Sequence, residues 1–469
     1  MRAALFISCF IAIFSVFLSA SPGAAVPAGA IYVSDFQHLD EAVRAMSGSP
    51  KGGTVILKAG RYLCTQSLLL NRTLGKAQSG SNGTINIWAE PGKEVVLDFS
   101  ALRDIDTPGS AGVPPASIDN TSGQGITIPR PQTRDPRPQI TSGQGITITG
   151  DEYHLKGLTV EKAGNFGIHV RGSRNVIENC VTRYNGNTGL QIGLLSGATN
   201  SGNLASDNSI LNCDSYRNFD PYSLRADTGK PAPGNDADGF GCRSNPGPGN
   251  RFEGCRSWEN ADDGWDFFKS NVGVEVTDCW SWHQGDPRVF TGEYDRESGN
   301  PKDTNLFDLN KPHLKVEGTT VAQHMTNWAG NGCGFKLGGA NSKGRHTVKN
   351  CIAFDHNYGQ KGQKGFDEND NRDKIVLVDC TAFNNKKNYS FPYASRVAQL
   401  YAASTNAGLL VFTNNIGFGS QIGDDLNQFT NRVIVPSAEK QKQLADAVWK
   451  AARAPRKPDG SLPDLVIRR

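Results

Sequence analysis

The chain has no dense run of Lys and Arg with aromatics interleaved, and its charges nearly cancel, 49 basic against 46 acidic residues for a formal +3. A basic stripe is the electrostatic footprint of a nucleic-acid binder, so that class has little support. Beyond the N-terminus there is no apolar stretch approaching the roughly 20 residues of a bilayer-spanning helix, and no membrane partner is expected. No segment sustains a long helical period, which argues against a bundle. Met is scarce (3 residues), whereas Gly is abundant (53).

At the N-terminus, Arg2 precedes an apolar run from Ala3 to about Leu18, and small residues follow in "SASPGAA". This pattern is expected to be a secretory signal peptide over residues 1–25, leaving 26–469 as one domain of a secreted, extracellular protein. Of 10 cysteines, Cys9 would leave with the signal and 9 remain. An odd count leaves at least one thiol free, although secretion favours disulfides.

What is present is a repeat. "NFGIHVRGSRNVIENCVTRYN" (165–185), "ADGFGCRSNPGPGNRFEGCRSWEN" (237–260), "DDGWDFFKSNVGVEVTDCWSWHQ" (262–284), "GCGFKLGGANSKGRHTVKNCIAFDHN" (332–357) and "KGFDENDNRDKIVLVDCTAFNN" (364–385) share one template. A Gly and an apolar residue open it, a turn and a second short apolar strand follow, and a Cys with a later Asn closes it. The shortest period is about 22 to 25 residues. Such self-similarity of short strands predicts a solenoid, and three strands per coil of this length predicts an all-β, right-handed parallel β-helix. Stacking would make Cys180, Cys213, Cys255, Cys279, Cys351 and Cys380 a buried ladder of thiols rather than disulfides. Asn185, Asn218, Asn260, Asn357 and Asn385 would form an amide ladder at a turn. "IYVSDFQHLDEAVRAM" predicts a strand and a helix starting near His38, which would cap the coil. The octapeptide "TSGQGITI" occurs at Thr121 and again at Thr141, with a Pro/Arg-rich loop between the copies. From about Pro392 the chain is less periodic, and "SAEKQKQLADAVWKAA" reads as a helix.

In "ENADDGWDFF" (Glu259–Phe268), three aspartates fall within five positions. With the coils aligned on their Gly, Asp238 lies one coil below Asp263. Ile168, Leu190, Phe240, Trp265, Phe335 and Phe366 then face inward, while His169, Gln191, Gly241, Asp266, Lys336 and Asp367 form the adjacent column. Asp238, Asp262, Asp263 and Asp266 can thus converge on one patch, a density of carboxylates that suits Ca²⁺. Any single Asp-Gly could instead be a turn former. Asp220 and Asp236 read as loop residues. Lys336 is either an ion-pair partner of Asp266 or Asp367, or a general base.

On "NDADGFGCR" (235–243), "ENADDGWDFF" (259–268) and "GNGCGFKLGG" (330–339), the sequence resembles the family 9 pectate lyases over residues 140 to 390. The resemblance implies a parallel β-helix with Asp238, Asp262, Asp263 and Asp266 as Ca²⁺ ligands and Lys336 as catalytic base. It implies β-elimination on 4-linked galacturonan, an acidic polysaccharide partner, and a monomer. Arg243 and Lys269 lie beside the cluster by register and are candidates for substrate binding. The segment "DPRVFTGEYDRESGNPKDTNLFDLNKP" (286–312) departs from the family pattern as an added loop and is expected to alter the substrate groove. Two other readings stand beside this one. A polygalacturonase-type hydrolase would use a metal-free carboxyl pair, but its Gly-His-Gly and Arg-Ile-Lys signatures are missing. A non-catalytic β-helix adhesin would use Ca²⁺ for rigidity alone.

Overall fold

A computed structural model describes residues 26–72, 83–104, 143–193, 205–292, 307–358, 363–394, 396, 410–423 and 433–467. The expected signal peptide, the first "TSGQGITI" and the Pro/Arg-rich loop lie outside them. Three parallel sheets of 11, 10 and 9 strands run along the described chain, and every strand of a coil pairs with its counterpart in the next. This is the right-handed parallel β-helix that the repeat predicts.

Register follows from alternation: one face of each strand is apolar, so a slip by one residue would turn the core outward. Leu190 pairs with Phe240, Phe240 with Trp265, Trp265 with Phe335 and Phe335 with Phe366. Their rings stack inside the coil at centroid separations of 4.9, 4.6 and 4.9 Å for the Phe240–Trp265, Trp265–Phe335 and Phe335–Phe366 pairs. The column continues to Tyr389, 5.5 Å from Phe366, a member the sequence template missed. Each stacked pair adds about 0.5–1.5 kcal/mol beyond the area it buries.

The six template cysteines are buried, and all are free thiols. Asn185 Nδ2 donates to Asn218 Oδ1 at 3.0 Å, and Asn218 Nδ2 to Asn260 Oδ1 at 2.8 Å. Beyond that point the ladder differs from expectation. Gln284 Oε1 accepts from the Asn260 backbone, and His356, not Asn357, takes the next rung. Asn357 is exposed, because the rung falls five residues after the Cys and that residue is His356. A second amide ladder, Asn175–Asn208–Asn250, was not legible as a column, with links of 3.0 and 2.9 Å.

Helix α1 (Phe36–Ser47) starts two residues before His38, because the Asp35 side chain caps it by accepting from the His38 backbone N–H at 2.9 Å. It turns Phe36, Leu39, Val43 and Met46 onto the end of the core. Helix α2 (Ala438–Arg453) lies along the outside of the ten-stranded sheet. There Val448, Ala451 and Ala452 cover a second aromatic stack, which includes Trp282, Phe354, Phe383 and Phe418. In the less periodic segment beyond Pro392, strands Leu410–Thr413 and Ile416–Phe418 still continue their sheets. Among the described residues no helix is long and apolar enough to cross a membrane.

Two long connections, 217–239 and 283–334, leave at the turn that feeds the nine-stranded sheet. They pack on each other through Phe219, Ala237, Val289, Phe290, Phe307 and Val321. The described ends of the 286–312 loop belong to this cluster, and Trp328 stacks 5.7 Å from Phe219.

Candidate active site

The site stands on four successive coils of the nine-stranded sheet, bearing Gln191, Gly241, Asp266 and Lys336 at paired positions. Gly241 is needed there: a Cβ would meet the Gln191 Oε1 at 2.1 Å. Gly239 and Gly264 open their strands, and the acidic residue before each, Asp238 and Asp263, ends up one strand spacing from the other. Asp263 donates its backbone N–H to Asp238 Oδ1 at 3.1 Å.

Carboxylate oxygens of Asp238, Asp263 and Asp266 lie within 4.8 Å of one another, and all three residues are buried. Asp262 is also buried but stands outside that group, its Oδ1 accepting the Asn331 N–H at 2.8 Å. Lys336 Nζ is 2.8 Å from Asp263 Oδ2 and 3.7 Å from Asp266 Oδ1. Neither partner expected from the column is its nearest one: Asp266 is the more distant, and Asp367 is taken by Lys364 at 2.7 Å.

Arg243 is not an open substrate contact here. Its Nη1 sits 3.0 Å from Asp266 Oδ2 and 3.3 Å from Asp238 Oδ2, with the side chain 14% exposed. Gln191 Oε1 accepts from Arg243 Nε at 3.1 Å, and Thr188 Oγ1 donates to Asp238 Oδ2 at 3.0 Å. Thr188 and Gln191 were not singled out as site residues in the sequence, because register places residues but not hydrogen bonds. Lys269 is exposed, at the left-handed φ of 58°, with Nζ 5.2 Å from the centre of the Phe268 ring. Asp220 is a loop residue, as expected, but a buried one that accepts the Asp236 N–H at 3.0 Å.

Burial pushes the Asp238, Asp262 and Asp263 carboxyls above the ordinary range, and their mutual repulsion adds to it. Burial alone would lower Lys336, but four surrounding carboxylates outweigh it and hold the ammonium well above its usual value. With all groups ionised, four carboxylates against Arg243 and Lys336 (−4 + 2) leave a charge of −2. One divalent cation cancels that. Ca²⁺–oxygen distances of about 2.3–2.6 Å let two ligands of one ion lie up to roughly 5 Å apart, which the observed spread satisfies. The donor set is all oxygen, as a hard cation requires.

A lysine beside such a cluster can serve as a base only if the cluster's charge is taken up, because the ordinary ammonium carries no lone pair. The arrangement sets three converging carboxylates beside a lysine on the next coil.

Residues 23–302 and 314–406 match the family described as Pel9A-like, right handed β-helix region. The break in the match, 303–313, falls in the segment that looked like an added loop. The chain is 28% identical to pectate lyase L of Dickeya chrysanthemi over 91% of its own length and 77% of that protein's. It is 30% identical to pectate lyase L of Dickeya dadantii over 70% of its own length, and there spans only 62% of the relative. The solved structure of pectate lyase Pel9A superposes with a TM-score of 0.57 at 26% identity, covering 90% of this chain and 82% of that one. A rhamnogalacturonan lyase, with a TM-score of 0.50 at 19% identity over 93% and 95% of the two chains, shares the fold alone.

Proposed function

The chain belongs to the Pel9A-like right-handed β-helix family, the family 9 pectate lyases, and we propose that it is a secreted lyase that cleaves 4-linked galacturonan by Ca²⁺-dependent β-elimination. The observation that carries this reading is Lys336 Nζ seated 2.8 Å from Asp263, one coil from a group of three converging carboxylates. A hydrolase reading needs two carboxyls set apart around a glycosidic bond. Here the carboxylates are drawn together and share two cations.

Asp238, Asp263 and Asp266 would hold the ion, and Asp262 would complete its shell or fix the turn beside it. When bound, Ca²⁺ supplies positive charge to a substrate carboxylate, whose α-proton at C5 becomes more acidic as negative charge develops. Lys336, neutral once the carboxylates no longer hold its proton, takes the C5 proton on Nζ. The C5–H electrons form the C4–C5 double bond. The C4–O bond breaks, and its electrons leave with the departing sugar oxygen, which is protonated from water. Arg243 keeps Asp238 and Asp266 in place, and the strand pairing of Lys336 with Asp266 fixes its position beside them. Every residue given a role here lies in one chain, and the proposed enzyme is a monomer.

The test is incubation of the mature protein with polygalacturonate, with Ca²⁺ or with chelator, following ultraviolet absorbance of the unsaturated product. Absorbance should rise only with Ca²⁺, and Lys336→Ala should lower kcat by about 10²–10⁴-fold, the usual share of a general base. New reducing ends without absorbance would replace this reading with hydrolysis. Lack of either product would favour the binding-protein reading.

A further inference from the structure

Within "WDFFK", Trp265 and Phe267 point into the core and are fully buried, whereas Phe268 points out and is half-buried. An outward Phe beside four carboxylates calls for a reason. Its backbone is tied to the site at both ends. The Phe268 N–H donates to Asp266 Oδ1 at 2.9 Å, and its carbonyl accepts the Ser244 N–H at 3.1 Å. Its ring is flanked by ammonium groups, Lys269 Nζ at 5.2 Å and Lys336 Nζ at 6.0 Å from the centroid. Beneath one edge lies Gly339, at φ 139°, where a Cβ would come within 2.3 Å of Phe268 Cδ2. That edge of the ring thus rests against a glycine, with the Asn369 amide nearby.

We propose that Phe268 and Lys269 form a sugar-binding subsite next to the reacting one. This rests on the lyase reading of Lys336. A uronate offers two complementary features, an apolar C–H face on the pyranose and a carboxylate at its rim. A flat aromatic surface with a single exposed cation beside it matches both. The ring centre lies 6.0 Å from Lys336 Nζ, which puts a sugar over Phe268 beside the one whose proton Lys336 takes. The subsite holds the neighbouring uronate, and its binding free energy orients the reacting sugar against the Lys336 amine. Lys269 reads the neighbour's carboxylate, so this subsite distinguishes free uronate from its methyl ester.

Two measurements on Phe268→Leu, Phe268→Trp and Lys269→Ala test this. Calorimetric binding of hexagalacturonate in a Lys336→Ala background needs no turnover, so it reports on the subsite even if the elimination reading fails. Steady-state rates are measured in the otherwise unaltered protein. Phe268→Leu, which keeps apolar bulk but loses the flat face, should weaken binding and raise KM about tenfold, with kcat changed less. Phe268→Trp should retain affinity. Lys269→Ala should weaken binding of the unesterified oligomer and leave that of its methyl ester unchanged. Unchanged affinity in Phe268→Leu would overturn the proposal. A shift in the pH–rate profile at constant KM would also overturn it, showing that the ring merely shelters Lys336. Equal losses in the Leu and Trp variants together with a lowered melting temperature would assign the ring to packing and reject the subsite.

Discussion

Asp263 is used at both oxygens: Oδ1 accepts the Cys333 N–H at 2.8 Å and Oδ2 meets Lys336. Asp263→Asn keeps the shape and removes the charge. Calcium affinity measured by calorimetry should fall by tenfold or more, and a value unchanged within error would remove Asp263 from the ligand set. Away from the site, Glu368 is buried and accepts the backbone N–H groups of Tyr393 and Ala394. Burial lifts its carboxyl from 4.5 to about 7 against those two bonds. An acid raised by folding contributes stability that is present below its ordinary value and lost as pH rises through the folded one. Thermal melts should therefore show a decline between about pH 4.5 and 7 that Glu368→Gln flattens; a parallel decline in both proteins would reject Glu368 as its source. At this scale the sequence brought the acidic residues and Lys336 together, because Gly-aligned coils place Asp238 with Asp263 in one column and Asp266 with Lys336 in a neighbouring one. It could not show that Arg243 turns inward onto Asp238 and Asp266, since that depends on a rotamer and on Thr188 and Gln191 beside it. Nor could it show that Asn388, within an N-glycosylation sequon, is fully buried and hydrogen-bonded to Asn385, where no glycan fits the folded chain.

Among elements, the coil was legible because a Gly and an apolar residue open each unit and Asn185, Asn218, Asn260 and Asn385 each follow their Cys by the same five residues. Each amide in the ladder satisfies a neighbour's backbone as well as its side chain. Asn260 Oδ1 accepts both the N–H and the Nδ2 of Asn218, while its own Nδ2 donates to Ser257 Oγ and the Ser215 carbonyl. Asn260→Ala leaves the buried Asn218 N–H without its acceptor, at about 1–3 kcal/mol, whereas Asn218 Nδ2 and Ser257 Oγ keep their bonds to Ser215 and Gln284. Chemical denaturation should show at least that loss, and a smaller one would mean that water enters the gap. The ladder was misread at one rung, Asn357, because the fixed step of five residues from Cys351 lands on His356, whose imidazole takes the amide's place. Where the connection between strands carries no repeat, as in 217–239 and 283–334, the sequence offered no pattern to align, and the mutual packing of those two segments was invisible.

For the whole molecule, a solenoid touches only its neighbours along the axis, and its ends and flanks need separate cover. Helix α1 covers one end, and α2 spans the aromatic flank. Arg256 reaches the Ala452 and Ala454 carbonyls at 3.3 and 3.0 Å, and Arg456 pairs with Asp214 at 2.6 Å, clamping the C-terminal segment down. Truncation before Ser437 should uncover Trp282, Phe354 and Phe383, seen as binding of a hydrophobic dye and a lowered melting temperature; unchanged dye binding would mean that another segment covers the stack. The long connections beside Asp262 differ from both caps, since Phe219, Phe290, Phe307 and Val321 pack chiefly on one another. That wall keeps its own small reserve of stability, detached from the axial stack, and local opening draws on such units first. Hydrogen exchange should therefore find the amides of 286–292 and 321–328 on a faster clock than the strands they flank, and substitutions among these rings should leave the strands of the site in register.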